Sequence, residues 1–173
     1  MRGVPGGLHY IKLFFPVPTM MREQWQTTQG PDAGWEELLP YYRKVLPLLE
    51  SALSRCRPAG KSYVEQLTGQ VRFSIDYVQA VQDVRRARTV YEEAQLAFKE
   101  KNPTVYDQKM YVTHETLERA LNLLKSSIEH WAAVVRDPSD LGALAVLNCY
   151  GYDYLKGVAY DIYLESQRRT INF

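Results

Sequence analysis

Residues 62–101 contain no proline, and this stretch limits what this chain can fold into. Nearly every residue in it favours or tolerates helix, while Pro58 and Gly60 before it and Pro103 after it mark its ends. The stretch is therefore predicted to form one long helix, about 60 Å long at about 1.5 Å per residue.

The apolar residues of this helix fall into two rows on roughly opposite sides. One row contains Val64, Leu67, Val71, Ile75 and Val78; the other contains Phe73, Tyr77, Ala80, Val84, Ala87, Tyr91, Ala94 and Phe98. A helix that is apolar on two sides must lie between neighbours, so the rest of the chain is expected to supply further long helices.

Before this helix, the sequence predicts two others. A short helix is expected over residues 20–27, after an arm rich in glycine, proline and aromatic residues. A longer one is expected to begin near Trp35 or Leu39 and to end near Cys56, and Pro47 inside it should kink or split it. Its predicted core row is Leu39, Tyr42, Val45, Leu46, Leu49 and Leu53.

After it, two more long helices are predicted. The first, from residue 103, carries a heptad pattern typical of antiparallel bundle helices: Met110, His114, Leu117, Leu121, Leu124, Ile128, Trp131 and Val135. The last should begin at Pro138 and continue to about residue 168. Its two predicted buried sides are Leu141, Leu144, Asn148, Tyr152, Leu155, Ala159 and Ile162, and Leu147, Tyr150, Tyr154 and Val158.

These elements predict an all-α fold, an up-and-down antiparallel helical bundle of about four long helices with an irregular N-terminal arm. A chain of 173 residues has the size of one domain. We therefore assign residues 1–34 to the arm with its short helix and residues 35–173 to the bundle.

Composition and charge exclude several classes of partner. A formal net charge of +1 gives no general attraction to nucleic acid or to an anionic membrane. The apolar patch in residues 1–18 is too short for a signal peptide or a membrane span, although a larger parent protein could still be secreted or periplasmic. The two cysteines, Cys56 and Cys149, are far apart in the sequence, and two buried free thiols are favoured over the alternative of a disulfide between them.

Catalytic and metal motifs are missing from the sequence. The three histidines, His9, His114 and His130, are scattered, and His130 is expected to be solvated. No Gly-x-Ser-x-Gly, Walker or dinucleotide motif occurs. We therefore expect no metal, no cofactor and no catalytic activity from the chain on its own.

Charged and aromatic clusters remain as candidate sites. Arg85, Arg86 and Arg88 are expected on a solvated face, with helical pairs between Arg88 and Glu92 and between Arg72 and Asp76. Five of the thirteen tyrosines lie between residues 150 and 163, near Asp153 and Asp161. Tyrosines beside carboxylates can stack on a sugar face. The candidate sugar-binding residues are Tyr150, Tyr154 and Trp131.

Several segments, taken in order, resemble a known region: HYIKLFFPVPTMMREQW, LPYYRKVLPLLESAL, VEQLTGQVRFSIDYVQAV and the closing helix. The resemblance is to an α-helical domain of unknown function found C-terminal to the barrel in bacterial glycoside-hydrolase-like proteins, which is also similar to the helical C-terminal part of α-glucuronidases. It implies a bundle that packs against a carbohydrate-active barrel. The alternating strands and helices of a barrel are absent from this sequence, so no catalytic residue carries over.

Three functional hypotheses follow. The first is a non-catalytic accessory domain that binds another protein domain, in the same parent chain or another, through an aromatic strip at Phe14, Phe15 and Trp25. The second is a free-standing scaffold that homodimerises through the heptad seam at Leu124 and Ile128. The third is a weak sugar-binding module that uses the aromatic residues named above.

Overall fold

The structure is a computed structural model that describes residues 20–26 and 33–170, of which residues 20, 33–36, 139, 140, 169 and 170 only by their backbone. The described chain is helical and contains no strand, which confirms the all-α bundle. The helices are α1 (Met20–Gln26), α2 (Ala33–Arg55), α3 (Pro58–Lys99), α4 (Pro103–Ala132), α5 (Pro138–Val146) and α6 (Tyr154–Thr170), with a π-helical segment at Leu147–Asp153 between the last two.

The predicted long helix is confirmed as α3, a single helix of 42 residues. It begins one turn earlier than predicted, with Pro58 in its first turn. Proline is tolerated there because the N–H groups of the first turn make no hydrogen bond within the helix. Every residue from 80 to 85 is buried, so the middle of α3 is covered on all sides. This burial agrees with the prediction that the helix lies between neighbours.

Helices α3 and α4 form an antiparallel hairpin. A positive φ of 56° at Lys101 turns the chain, and the Asn102 side chain caps α4 by accepting a hydrogen bond from the backbone N–H of Val105. Phe98 then meets Tyr106 near the turn, while Phe73 meets Trp131 at the far end. The heptad seam of α4 faces this core, and Leu117 and Leu124 are completely buried in it.

Helix α1 and the last helical segments close the other side of the core. Met21 and Trp25 of α1 are both buried, so this short helix, predicted as part of the N-terminal arm, is a packed element of the bundle. Helix α6 runs antiparallel to α4, with Tyr163 near His114 and, at the π-helical segment, Gly151 near Leu124.

The predicted buried sides of the last helix were partly wrong. Leu141, Asn148 and Tyr150 are exposed, and the buried positions instead recur at every fourth residue through Ala143, Leu147, Gly151, Leu155 and Ala159. Steps of four residues advance about 40° past a full α-helical turn each time. The hydrogen bonds of a π-helical turn join residues five apart, so the turn holds more residues and returns the row to the core.

Helix α2 lies on the outer side of α3. It is continuous from Ala33 to Arg55, so Pro40 and Pro47 do not split it. Two side-chain bonds fix its antiparallel register: Arg43 donates to Gln79 at 2.9 Å, and Arg72 donates to Glu50 at 2.8 Å. Both cysteines are free thiols as predicted, but their expected burial was wrong, because Cys56 is half-buried and Cys149 is exposed.

Candidate functional site

The outer row of α2 is the largest departure from the expected packing. Tyr41 is 67% exposed, Val45 40% and Leu48 69%, and the exposed Ala52 continues their row. Val45 was predicted in the core row and is instead part of this outer row. The steps of four, three and four residues place all four side chains on one side of the helix.

The inner row of α2 packs on α3 without deep burial. It comprises the half-buried Leu39, Tyr42, Leu46, Leu49 and Leu53. The last four of these directly follow the members of the outer row in sequence, so the two rows lie about 100° apart around the helix. Helix α2 therefore carries a wide apolar surface, of which α3 covers one side.

A cleft opens where the C-terminal end of α2, the N-terminal part of α3 and the end of α4 meet. Its volume is about 410 Å³, and its ionisable lining groups are Glu65, Arg72, His130 and Arg136. Gly69 makes this convergence possible, because a Cβ atom there would lie 2.5 Å from Cγ1 of Val134. No real Cβ contact is that short, so a side chain at this position would force the helix ends apart.

A polar cluster lies beside the cleft, and its contacts show that two predictions were wrong. Ser126 donates a hydrogen bond to Asp76 at 2.6 Å, and Nε2 of His130 lies 3.4 Å from the same carboxylate. His130 is therefore half-buried against a carboxylate instead of solvated. Asp76 does not pair with Arg72 as predicted, because Arg72 reaches across to Glu50 of α2.

This cluster contains a serine, a histidine and an aspartate, but in a different arrangement from a hydrolase triad. In a triad the imidazole lies between the hydroxyl and the carboxylate and contacts each through a different nitrogen. Here the hydroxyl of Ser126 donates directly to Asp76, and the one nitrogen Nε2 of His130 lies 3.4 Å from both groups. The geometry supports a hydrogen-bonded link between α3 and α4.

The arginine cluster on α3 is not a solvated face. Arg85 is buried, and Arg88 lies over the rings of Trp25 and Tyr91 at 5.4 and 5.6 Å. Arg86 alone of the three is exposed. The predicted pair of Arg88 with Glu92 is present at 3.0 Å.

Asp83, next to this cluster, is buried and accepts two hydrogen bonds of 2.6 Å from Arg119 of α4. The hydrogen bond to Asp83 is the main cause that raises the pKa of Arg119. Such a bidentate pair with one buried partner fixes the register of α3 against α4.

The three predicted sugar-binding residues differ from one another in their exposure. Trp131 is 7% exposed and packs on Phe73, so its ring has no free face for stacking. Tyr154 is half-buried beneath the guanidinium of Arg22, and burial raises its pKa, an effect that Arg22 and Arg88 partly offset. Tyr150 is exposed on the π-helical segment.

The predicted interface residues whose side chains the structure describes are not exposed. Phe14 and Phe15 lie outside the described residues, and Trp25 belongs to the core, so it cannot join an exposed aromatic strip. Leu124 is completely buried and the half-buried Ile128 packs against the same core. The heptad seam thus meets neighbours within its own chain, which removes it as a dimer interface.

The described residues lack both a metal-binding cluster and a membrane-spanning helix. They contain no group of three or more histidine, cysteine, aspartate or glutamate residues that could hold a metal ion. None of their helices combines the length and the apolar character needed to cross a bilayer.

The sequence of α2 contains two adjacent apolar rows, but only the structure shows which of the two α3 covers. The cleft has no such signal, because its lining comes from three separate segments. Comparison with known proteins adds no relative: no family model, no curated protein and no solved structure matches this chain.

Proposed function

We propose that this protein is a non-catalytic helical accessory domain that binds another protein domain through the outer row of α2. The exposure of Tyr41, Val45 and Leu48 on one helix face is the observation that carries the proposal. Apolar side chains grouped in one row are a feature of interaction surfaces, whereas isolated exposed ones are common on any protein.

The kind of partner comes from the resemblance noted in the sequence. One of the resembling segments, LPYYRKVLPLLESAL, covers Leu39 to Leu53 and so contains the whole outer row. In the glycoside-hydrolase-like proteins the resembling domain follows a barrel. We therefore take the partner to be a domain of a carbohydrate-active protein, in the same parent chain or in another.

A photo-crosslinking experiment tests this assignment. A benzophenone amino acid at position 48 should crosslink to one protein in the cells that make the chain, and mass spectrometry should identify it as carbohydrate-active. The same group at the exposed position 118 on α4 is the matched control and should give no such product. Crosslinks to unrelated proteins at both positions would reject the proposal.

Reconstitution with the identified partner then measures the contribution of the row. Leu48→Glu should weaken binding by about tenfold or more, because it places a charge in an apolar contact. The change should leave the helical content unaltered, since Leu48 is already exposed. Lys44→Glu changes an exposed residue on the same helix without altering the row, and it should have a smaller effect.

A second candidate, self-association, has one observation in its favour. Helix α2 carries the acidic Glu37 near its N-terminal end and the basic Arg55 at its C-terminal end. Two copies paired antiparallel through the outer row would bring these opposite charges together. The outer row offers only four residues from each copy, whereas a stable interface uses about 20 to 30 residues a side, so such a dimer would be weak.

Sedimentation velocity over a concentration series separates the two candidates. A concentration-dependent dimer that is weakened by Arg55→Glu and restored by the further change Glu37→Arg would establish self-association. A monomer at all concentrations would leave the accessory domain as the better description. The crosslinking result gives an independent check, because a dimer would crosslink position 48 to a second copy.

A further inference from the structure

The cleft between α2, α3 and α4 has the dimensions of a ligand site. Its volume of about 410 Å³ falls within the range of about 300 to 1,000 Å³ that holds small molecules. Its walls come from three helix ends that Gly69 allows to converge, since the backbone oxygen of His130 and the side chain of Val134 both lie against that glycine. The cavity is therefore built by the packing of the bundle.

The charges that line the cleft favour an anion. Two guanidinium groups, Arg72 and Arg136, line it, against the single carboxylate of Glu65. Each guanidinium carries five N–H donors. Within the described residues, Arg72 donates to Glu50 and Arg136 donates to the backbone oxygen of Ser62, so most of their donors remain open to a ligand.

Most of the other lining residues of the cleft are apolar, and the hydroxyl of the one polar residue among them, Thr68, already donates to the backbone oxygen of Val64. Leu53 comes from α2, while Ala133, Val134 and Val135 follow the end of α4. These side chains offer no hydrogen bonds to the remaining oxygens of a phosphate, and Glu65 would repel a doubly charged ion. An anion with one charged group and an apolar body matches both parts of the lining.

We propose that this cleft binds a small organic carboxylate, whose charged group receives hydrogen bonds from Arg72 and Arg136 and whose apolar body lies against Leu53 and Val134. Arginine is suited to this task because its planar fork matches the two oxygens of a carboxylate. The site is separate from the outer row of α2, so this proposal does not depend on the function proposed above.

The probes for the test are benzoate, its neutral near-isostere benzamide, and inorganic phosphate. Calorimetric titration of the full chain should detect benzoate binding, and benzamide should bind at least tenfold more weakly. In amide NMR spectra, benzoate should shift signals from residues 65–72 and 130–136 in preference to the rest of the chain.

Two variants and a control link the binding to the cleft. Arg72→Gln and Arg136→Gln should each raise the dissociation constant of benzoate by about tenfold, as expected for loss of a charge-assisted hydrogen bond at a partly exposed site. Both residues are exposed, and the bond of Arg43 to Gln79 still fixes the register of α2 in Arg72→Gln, so the fold should tolerate the changes. Lys125→Gln removes a similarly exposed charge from α4 outside the cleft and should leave binding unchanged.

The other results would overturn the proposal. Equal binding of benzoate and benzamide would show that charge is not recognised. Phosphate that bound as tightly as benzoate, and that lost affinity in both arginine variants, would replace the organic carboxylate with a general anion. Failure of benzoate to bind, or binding that both arginine variants left intact, would reject the site.

Discussion

At the scale of single residues, Tyr77 of α3 is the least satisfied group of the core. Its side chain is 1% exposed and stacks on Phe73, with ring centroids 5.4 Å apart. Its hydroxyl has no hydrogen-bond partner among the described residues. A buried hydroxyl without a partner costs roughly 1 to 3 kcal/mol of stability. Burial also raises the pKa of Tyr77, because the phenolate would lack solvation.

We expect Tyr77→Phe to stabilise the protein by about 1 kcal/mol at neutral pH, since it removes the unpaired hydroxyl and keeps the ring. Denaturant unfolding followed by circular dichroism measures the change. Tyr42→Phe is the matched control, because the Tyr42 hydroxyl shares a hydrogen bond with Ser74 and its loss should destabilise. A destabilised Tyr77→Phe variant would show that the hydroxyl has a partner in solution.

The same variant changes the response to alkaline pH. The folded-state pKa of Tyr77 lies above the unfolded value of about 10, so ionisation of this group does not lower the stability below pH about 10. The free energy of unfolding falls as the pH rises above 10, because Tyr77 ionises in the unfolded chain first. Above pH 10, the unfolding free energy of Tyr77→Phe should therefore fall less steeply with pH than that of the parent protein. Part of the fall should remain, because the pKa values of Tyr42 and Tyr154 are also raised.

Residue-scale features were the hardest to predict from the sequence. The spacing of four residues on one helix correctly predicted the pair of Arg88 with Glu92. The same spacing gave a wrong prediction for Arg72 and Asp76, because Arg72 pairs with Glu50 of another helix. The contacts of Asp76 with Ser126 and of Asp83 with Arg119 join residues of two helices. They depend on the register of α3 against α4, which helical periodicity alone does not determine.

At the scale of elements, the π-helical segment Leu147–Asp153 keeps a row of every-fourth residues facing the core. The rows predicted for this helix assumed a regular α-helix, and this assumption explains the error at Leu141 and Asn148. The existence and the extent of the helices were predictable, because proline positions and apolar spacing indicate where each helix begins and ends. A local change in helix type leaves no comparable signal in propensity.

Deletion of the exposed Cys149 is expected to convert the π-helical segment to α-helix at little cost. After the deletion, the buried residues from Ala143 to Ile162 follow each other in mixed steps of four and three, which suit a regular α-helix. The unfolding free energy should stay within about 1 kcal/mol of the parent. Amide hydrogen exchange should show regular protection through this segment.

A deletion elsewhere provides the control for this prediction. Removing the exposed Lys125 from the regular helix α4 would rotate Ile128 and Trp131 by about 100° relative to Leu124. The loss of their burial should cost roughly 3 kcal/mol or more. Equal losses from the two deletions would show that the packing requires the π-helical geometry itself.

At the scale of the whole molecule, burial is distributed unevenly among the helices. The core cluster draws its members from α1, α3, α4, the π-helical segment and α6. In α2, none of the residues whose side chains are described, 37–55, is buried. Regions with few buried contacts open at lower free energy than the global unfolding reaction. Helix α2 is therefore expected to be the least stable long helix of the bundle.

Native-state hydrogen exchange should resolve this difference. We expect amides near the centre of α2 to exchange with a free energy at least about 2 kcal/mol below that of amides between residues 73 and 87 of α3. Exchange at low denaturant, followed by mass spectrometry of peptic fragments, gives both values on the same sample. A partner bound to the outer row should raise the protection of α2 and leave that of α3 nearly unchanged.

Substitutions in the two regions distinguish separate opening of α2 from uniform unfolding. Leu49→Ala removes part of the half-buried contact between α2 and α3, and it should lower the protection of α2 alone. Leu121→Ala opens a cavity in the core and should lower the protection of α3 and α4 by roughly 2 to 5 kcal/mol. If both substitutions changed the exchange of all three helices equally, the bundle would unfold as one unit. Helix α2 would then contribute to binding as a rigid surface that stays folded with the core.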